Sequence, residues 1–116
     1  MGRAAALIAA LLLVVAGRAL AHHGWGEYDQ AKPLRLVGVV TEAAYEHPHA
    51  QLRIRAENGV WLCVLAPPSR MEMRGLSREM LRPGAEVVLE GYPSRARPDE
   101  MRAERITVGG RTFELR

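Results

Sequence analysis

Hydrophobic and polar side chains alternate most cleanly between Gln51 and Ala56. Leu52, Ile54 and Ala56 point one way, and Gln51, Arg53 and Arg55 the other. A period of two is that of a strand with one buried face. Leu34 to Glu46, rich in β-branched residues, predicts a first strand, with Gly38 marking a bend or bulge. Asn58-Gly59 predicts a two-residue hairpin turn, after which Val60 to Leu65 returns as a third strand. Pro67 and Pro68 stop the sheet. Ser69 is placed to cap a short helix, with Glu72 three residues on, and Ser77 to cap a second turn that ends at Pro83-Gly84. Ala85 to Tyr92 and Met101 to Val108 are the fourth and fifth strands, with the polar stretch from Pro93 to Glu100 between them as the most mobile segment. Gly109-Gly110 turns the chain into a short final strand, Arg111 to Leu115.

Three strands, a helical segment and two or three further strands predict a mainly β domain. In a chain of this size the layout is a small five- to six-stranded OB-like antiparallel barrel with one short helical segment between strands three and four. A plain β-sandwich is the main alternative. Residues 22–33 are polar and turn-rich and read as an N-terminal arm, and residues 34–116 as the barrel domain. A turn at Ala31-Lys32-Pro33 would let the arm run back along the first strand.

The start of the chain has a different grammar. Met1-Gly2-Arg3 is positive, Ala4 to Ala16 is unbroken apolar sequence, and Ala19-Leu20-Ala21 is a small-x-small cleavage pattern. Residues 1–21 therefore read as a signal peptide that delivers the remainder to the periplasm. The apolar run is too short for a membrane span, which needs about 20 residues. Arg3 and Arg18 would leave with the leader, so 16 basic side chains become 14 against 13 acidic ones. A nearly neutral domain of this kind carries no electrostatic footprint for nucleic acid. Cys63 is the only cysteine, so no internal disulfide is available and packing must supply the stability. Its apolar neighbours mark it as a buried small hydrophobe.

The four histidines fall into two tight pairs, His22-His23 and His47-Pro48-His49. Cleavage after Ala21 would give His22 a free α-amine, which with its own imidazole Nδ1 can chelate one metal. Amine and imidazole nitrogens suit Cu(II), with Zn or Ni as weaker candidates. A third nitrogen from His47 or His49 would complete a planar site, so the candidate ligands are His22 and His49, helped by His23 and His47. The competing reading is that these histidines are merely solvated or bond backbone groups. Trp61 and Tyr45 are candidates for stacking on a small ligand or holding a partner protein on a barrel face. Trp25 is expected to tack the arm onto the barrel. No nucleophile elbow or paired carboxylate site occurs, and nothing in the sequence points to an enzyme.

The chain resembles the domain-of-unknown-function 6152 family of small secreted bacterial proteins. The features that carry this are Ala21-His22-His23, Tyr28-Asp29 to Lys32-Pro33, Leu36-Val37-Gly38-Val39-Val40-Thr41 and Glu46-His47-Pro48-His49-Ala50. Arg74-Gly75-Leu76, Leu81-Arg82-Pro83-Gly84, Val88 to Pro93 and Gly110-Arg111-Thr112-Phe113 follow in order. The family pattern has Asn where His47 stands and Trp where Leu76 stands, which leaves His49 as the stronger ligand candidate. The resemblance implies a periplasmic protein and carries no assigned activity.

Overall fold

The computed structural model describes residues 24–116. Its strands are β1 (Leu34–Ala44), β2 (Gln51–Ala56), β3 (Gly59–Val64), β4 (Glu86–Pro93), β5 (Glu100–Val108) and β6 (Arg111–Glu114). They hydrogen-bond in the order β3-β2-β1-β4-β5-β6, and β3 also pairs with β5, closing five strands into an OB-like barrel. The closing pair, Leu62 to Val64 against Glu100 to Arg102, is parallel, which corrects the all-antiparallel expectation. The reason is parity: directions cannot alternate all the way round a ring of five, so one neighbouring pair must run the same way.

β1 binds two neighbours because it curls. Its first half pairs with β4 and its second half with β2, and Gly38 pairs with both, opposite Val87 and Ala56. The expected bulge lies three residues later, between Val40 and Glu42, where the Thr41 hydroxyl donates to the Arg53 carbonyl at 3.1 Å. Gly38 serves instead for close approach, since a Cβ there would stand 2.6 Å from the Arg55 carbonyl oxygen. The β2–β3 turn is Glu57-Asn58, one residue earlier than predicted, and Gly59 opens β3 with φ of 119°.

The segment between β3 and β4 holds α1 (Pro68–Met73) and a 3-10 turn, Arg78–Leu81. Pro67 is the helix cap and Pro68 the first helical residue, so Ser69 falls inside the first turn and caps nothing. Proline's fixed φ suits that position and moves the start two residues earlier than a Ser69 cap would set it. Ser77 does stand ahead of the 3-10 turn, without a side-chain cap bond. Met71, Leu76 and Leu81 from this segment join Val40, Leu52, Ile54, Leu89, Met101 and Ile106 in one core cluster. Each such side chain contributes about 1.5–3 kcal/mol when fully buried.

The arm does not run back along β1. It lies instead against the end of β4 and the loop that follows. Trp25–Glu27 forms a 3-10 turn, Tyr28 bridges to Ser94, and the Asp29 amide donates to the Pro93 carbonyl at 2.9 Å. The Arg95 amide donates to the Glu27 carbonyl at 3.0 Å, and Arg95 Nε to the Gly26 carbonyl at 3.2 Å. The polar 94–99 loop is thus tied to the arm. No helix among the described residues is long and apolar enough to cross a membrane.

Candidate functional site

Along β5 the side chains alternate between core and exterior. Met101 and Ala103 enter the core, so Arg102 between them faces outward. Its cross-strand partners, Val64 on β3 and Tyr92 on β4, share that outer face. Yet Arg102 and Val64 are both buried, at 4% and 0% exposure, and neither belongs to the core cluster. A second layer covers them, and the arm supplies part of it. The Trp25 ring lies 4.5 Å from the Arg102 guanidinium and 4.2 Å from that of Arg116, and meets Tyr92 edge-on at 6.3 Å. Two cations on one indole gain from its negative face. Arg116 also donates to Gln30 of the arm at 3.0 Å, and the Tyr92 hydroxyl donates to Glu104 at 2.9 Å. Burial, and then the neighbouring Arg70 and Arg116 charges, push the Arg102 guanidinium below its ordinary value.

Three residues on, Tyr28 is fully buried and its hydroxyl donates to Glu100 Oε2 at 2.9 Å. Arg97 Nε donates to the other carboxylate oxygen at 3.0 Å. Burial, then the bond to Glu100, raise the Tyr28 phenol above its ordinary value. Arg97's own bond to Glu100 raises its guanidinium above the ordinary value. Trp25 and Tyr28 are therefore two separate fastenings that hold the arm on the outside of the barrel where β3, β5 and β4 meet.

The second histidine pair sits on the loop from β1 to β2. His47 is exposed and His49 is half-buried. Ala50 is anchored to the end of β3, donating to the Ala66 carbonyl at 3.0 Å and accepting from the Leu65 amide at 2.8 Å. Gln51 pairs with Val64, the residue opposite Arg102, so the His49 loop and the arm flank the same end of the β3–β5 seam. His22 and His23 lie outside the described residues. Among the described residues no group of three or more His, Cys, Asp or Glu side chains is placed to hold a metal ion.

The two aromatic candidates differ in burial. Tyr45 is buried, and its hydroxyl donates to the Leu76 carbonyl at 2.7 Å, pinning the α1 segment to β1. Trp61 is half-buried, pairs with core Ile54, and donates from Nε1 to Asn58 at 3.1 Å. Sequence reasoning missed Arg102, Arg116 and Glu100. Glu100 reads as the end of a polar loop and Met101 to Val108 as a strand, a pattern with no sign that Arg102 or Glu100 is buried; the docked arm contributes to covering both.

Cys63 is fully buried, and burial pushes its thiol up to about 12. The thiolate is the reactive form. The folded protein should therefore resist a disulfide reagent at pH 8 and react stoichiometrically once denatured. Rapid labelling of the native protein would contradict this burial.

A profile described as a family of unknown function (DUF6152) matches residues 9–101. No curated protein matches the chain. Among solved structures the chain is similar to TiaS in complex with tRNA and ATP, at 23% identity and a TM-score of 0.53, covering 77% of this chain and 20% of that one. A ZRD-deleted mutant of TiaS in complex with agmatine is similar at 22% identity and a TM-score of 0.55, covering 75% of this chain and 27% of that one. The S. pombe Stn1–Ten1 complex matches at 15% identity and a TM-score of 0.52, with 66% and 57% covered. These likenesses are of fold, and the chain spans only about a fifth to a quarter of the TiaS chains.

Proposed function

The chain belongs to the DUF6152 family, a family of unknown function, and we propose that it is a periplasmic metal-binding accessory protein that uses its processed N-terminus, with copper favoured over zinc or nickel. The ligands are the α-amine and imidazole of His22 together with His49, assisted by His23 and His47. The observation that supports this reading is the docking of the arm beside the His49 loop. Trp25 rests on Arg102, and Arg102 is two strand spacings from Gln51, about 10 Å. His22 is three residues ahead of Trp25, a reach of about 10 Å. An arm that docks on the same end of the β3–β5 seam as the His49 loop supports bringing the amine toward His49. A nitrogen-only donor set of amine and imidazoles is one that Cu(II) accepts in a planar arrangement. Secretion agrees with the leader grammar of residues 1–21. Tyr45, one residue of a barrel-face module, is buried and bonded to the Leu76 carbonyl.

The test is Cu(II) titration by calorimetry of protein that begins at His22, beside a form carrying one extra N-terminal Ala and beside His49→Ala. One-to-one binding that weakens at least tenfold, about 1.4 kcal/mol, in both altered forms is the expected result. Equal binding by all three would sink the amine site and favour a small ligand or partner protein on a barrel face.

A further inference from the structure

Charge is nearly balanced along the chain but not in space. Arg70 and Arg74 lie one turn apart at α1, on the side that meets the end of β6. Arg70 Nη1 donates to the Leu115 carbonyl at 3.2 Å, and Arg74 Nη1 to the main-chain oxygens of Glu114 at 2.6 Å and Arg116 at 3.2 Å. From β6, Arg111 Nη2 stands 3.4 Å from the place a Cβ on Gly75 would take, and its guanidinium covers the Phe113 ring at 4.9 Å. The charges of Arg70 and Arg116 also reach the buried Arg102. The acids of this region are drawn elsewhere. Glu114 accepts from Arg105 at 3.0 Å, and Glu104 from Tyr92 at 2.9 Å and Arg116 at 3.4 Å. Glu72 of α1 lies toward Tyr45, where burial and then its charge raise the phenol above its ordinary value.

We propose that this corner between α1 and β6 binds a phosphate group, held by the guanidinium forks of Arg70 and Arg74 and by the Ser69 hydroxyl, with Arg111 adding charge beside them. Pro67, Ser69, Arg70, Met73 and Arg74 line an open hollow of about 330 Å³. The bonds from Arg70 and Arg74 to β6 and the residues after it are made through Nη1, so the other N–H groups of each fork remain for a ligand. A planar fork matches phosphate oxygens, and bonds between ionised partners are the strong ones. The main-chain bonds also hold both forks in place before the ligand arrives, which lowers the entropy lost on binding. Pro67 and Met73 make the hollow's apolar wall, and Met73 is 88% exposed. Such a wall suits the carbon side of a phosphate ester, so the group is accepted free or on a lipid headgroup.

The experiment titrates inorganic phosphate into protein beginning at His22, against chloride at matched ionic strength, followed by calorimetry and by Tm. Saturable one-to-one binding and a rise in Tm that chloride does not give are expected. Arg70→Gln and Arg74→Gln should each weaken binding about tenfold, the loss of one charged hydrogen bond. Arg53→Gln, which removes an exposed arginine paired with Glu42 on β1, should leave the affinity unchanged. Should the two α1 variants not fold, Arg111→Gln, expected to weaken binding about threefold, serves in their place. Sedimentation with phosphatidylglycerol vesicles but not phosphatidylcholine vesicles, lost in Arg74→Gln and in Met73→Gln, would identify a lipid headgroup as the source. Phosphate binding without sedimentation would identify the free ion or a small ester. No saturable phosphate binding, or an equal loss in Arg53→Gln, would overturn the site, because the second result reports net charge alone.

Discussion

Gly91→Ala is expected to cost about 3 kcal/mol or more of folding stability. At about 4–8 °C per kcal/mol for a domain of this size, Tm should fall by at least about 12 °C. The β4–β5 ladder shifts register between Glu90 and Gly91, and this irregularity brings two backbones together. A Cβ on Gly91 would land on the Arg102 carbonyl oxygen, with the Ala103 Cα also within 2.9 Å. Neither atom belongs to a side chain that can rotate away, so the strands themselves must part. They would part beneath Arg102, Tyr92 and the docked Trp25. Gly26→Ala is the matched control, because a Cβ there meets nothing within 4 Å. Thermal unfolding followed by circular dichroism decides the matter. A Gly91→Ala protein that melts within about 3 °C of the parent, roughly half a kcal/mol, would show that the seam tolerates a methyl group and is looser than described.

Glu100→Ala should be nearly as damaging, at about 3 kcal/mol. Glu100 is 5% exposed and accepts from two donors, Tyr28 and Arg97. Its removal leaves the Tyr28 hydroxyl buried without its acceptor and frees the arm's second fastening. Tyr28→Phe should cost less, about 1–2 kcal/mol, because Arg97 still pairs with the carboxylate. The same pair makes the protein sensitive to alkali. The Tyr28 phenol is raised in the fold, by burial first and the Glu100 bond second. A raised group lends its stability below its unfolded value, about 10 for tyrosine, and loses it as pH climbs toward the folded value. Cys63, pushed up to about 12, acts with the same sign from about pH 9 upward. Urea unfolding at pH 8, 10 and 11 should therefore show stability falling with pH. The fall between pH 10 and 11 should be shallower in Tyr28→Phe, by up to about 1.4 kcal/mol per unit. An identical slope in the two proteins would remove Tyr28 from the alkaline transition.

Much of the barrel is legible in local patterns. The alternation of Gln51 to Ala56 coincides with β2, Gly109-Gly110 turns β5 into β6, and the prolines at 67 and 68 do end the sheet. These succeed because side-chain period and turn conformation are properties of a few adjacent residues. Helix start and bulge were displaced because several neighbouring residues could serve and packing chose among them. Pro68 outcompeted Ser69 for the helix start, and Thr41 took the irregularity expected at Gly38.

The site was legible only as two histidine pairs and a tryptophan expected to hold the arm. The sequence by itself determined the period-two strands, the helical interruption after β3, the single thiol without a disulfide partner, and the grouping of the histidines. The tertiary structure alone decided that β3 and β5 meet in parallel, and that the arm bridges to Ser94 beyond β4 instead of following β1. It also decided that Arg102 and Glu100 are buried by a segment some 70 residues away in sequence. The physical reason is that alternation reports which face of a strand a side chain occupies. Whether that face meets water or another part of the chain depends on long-range packing, on which a local pattern carries no information.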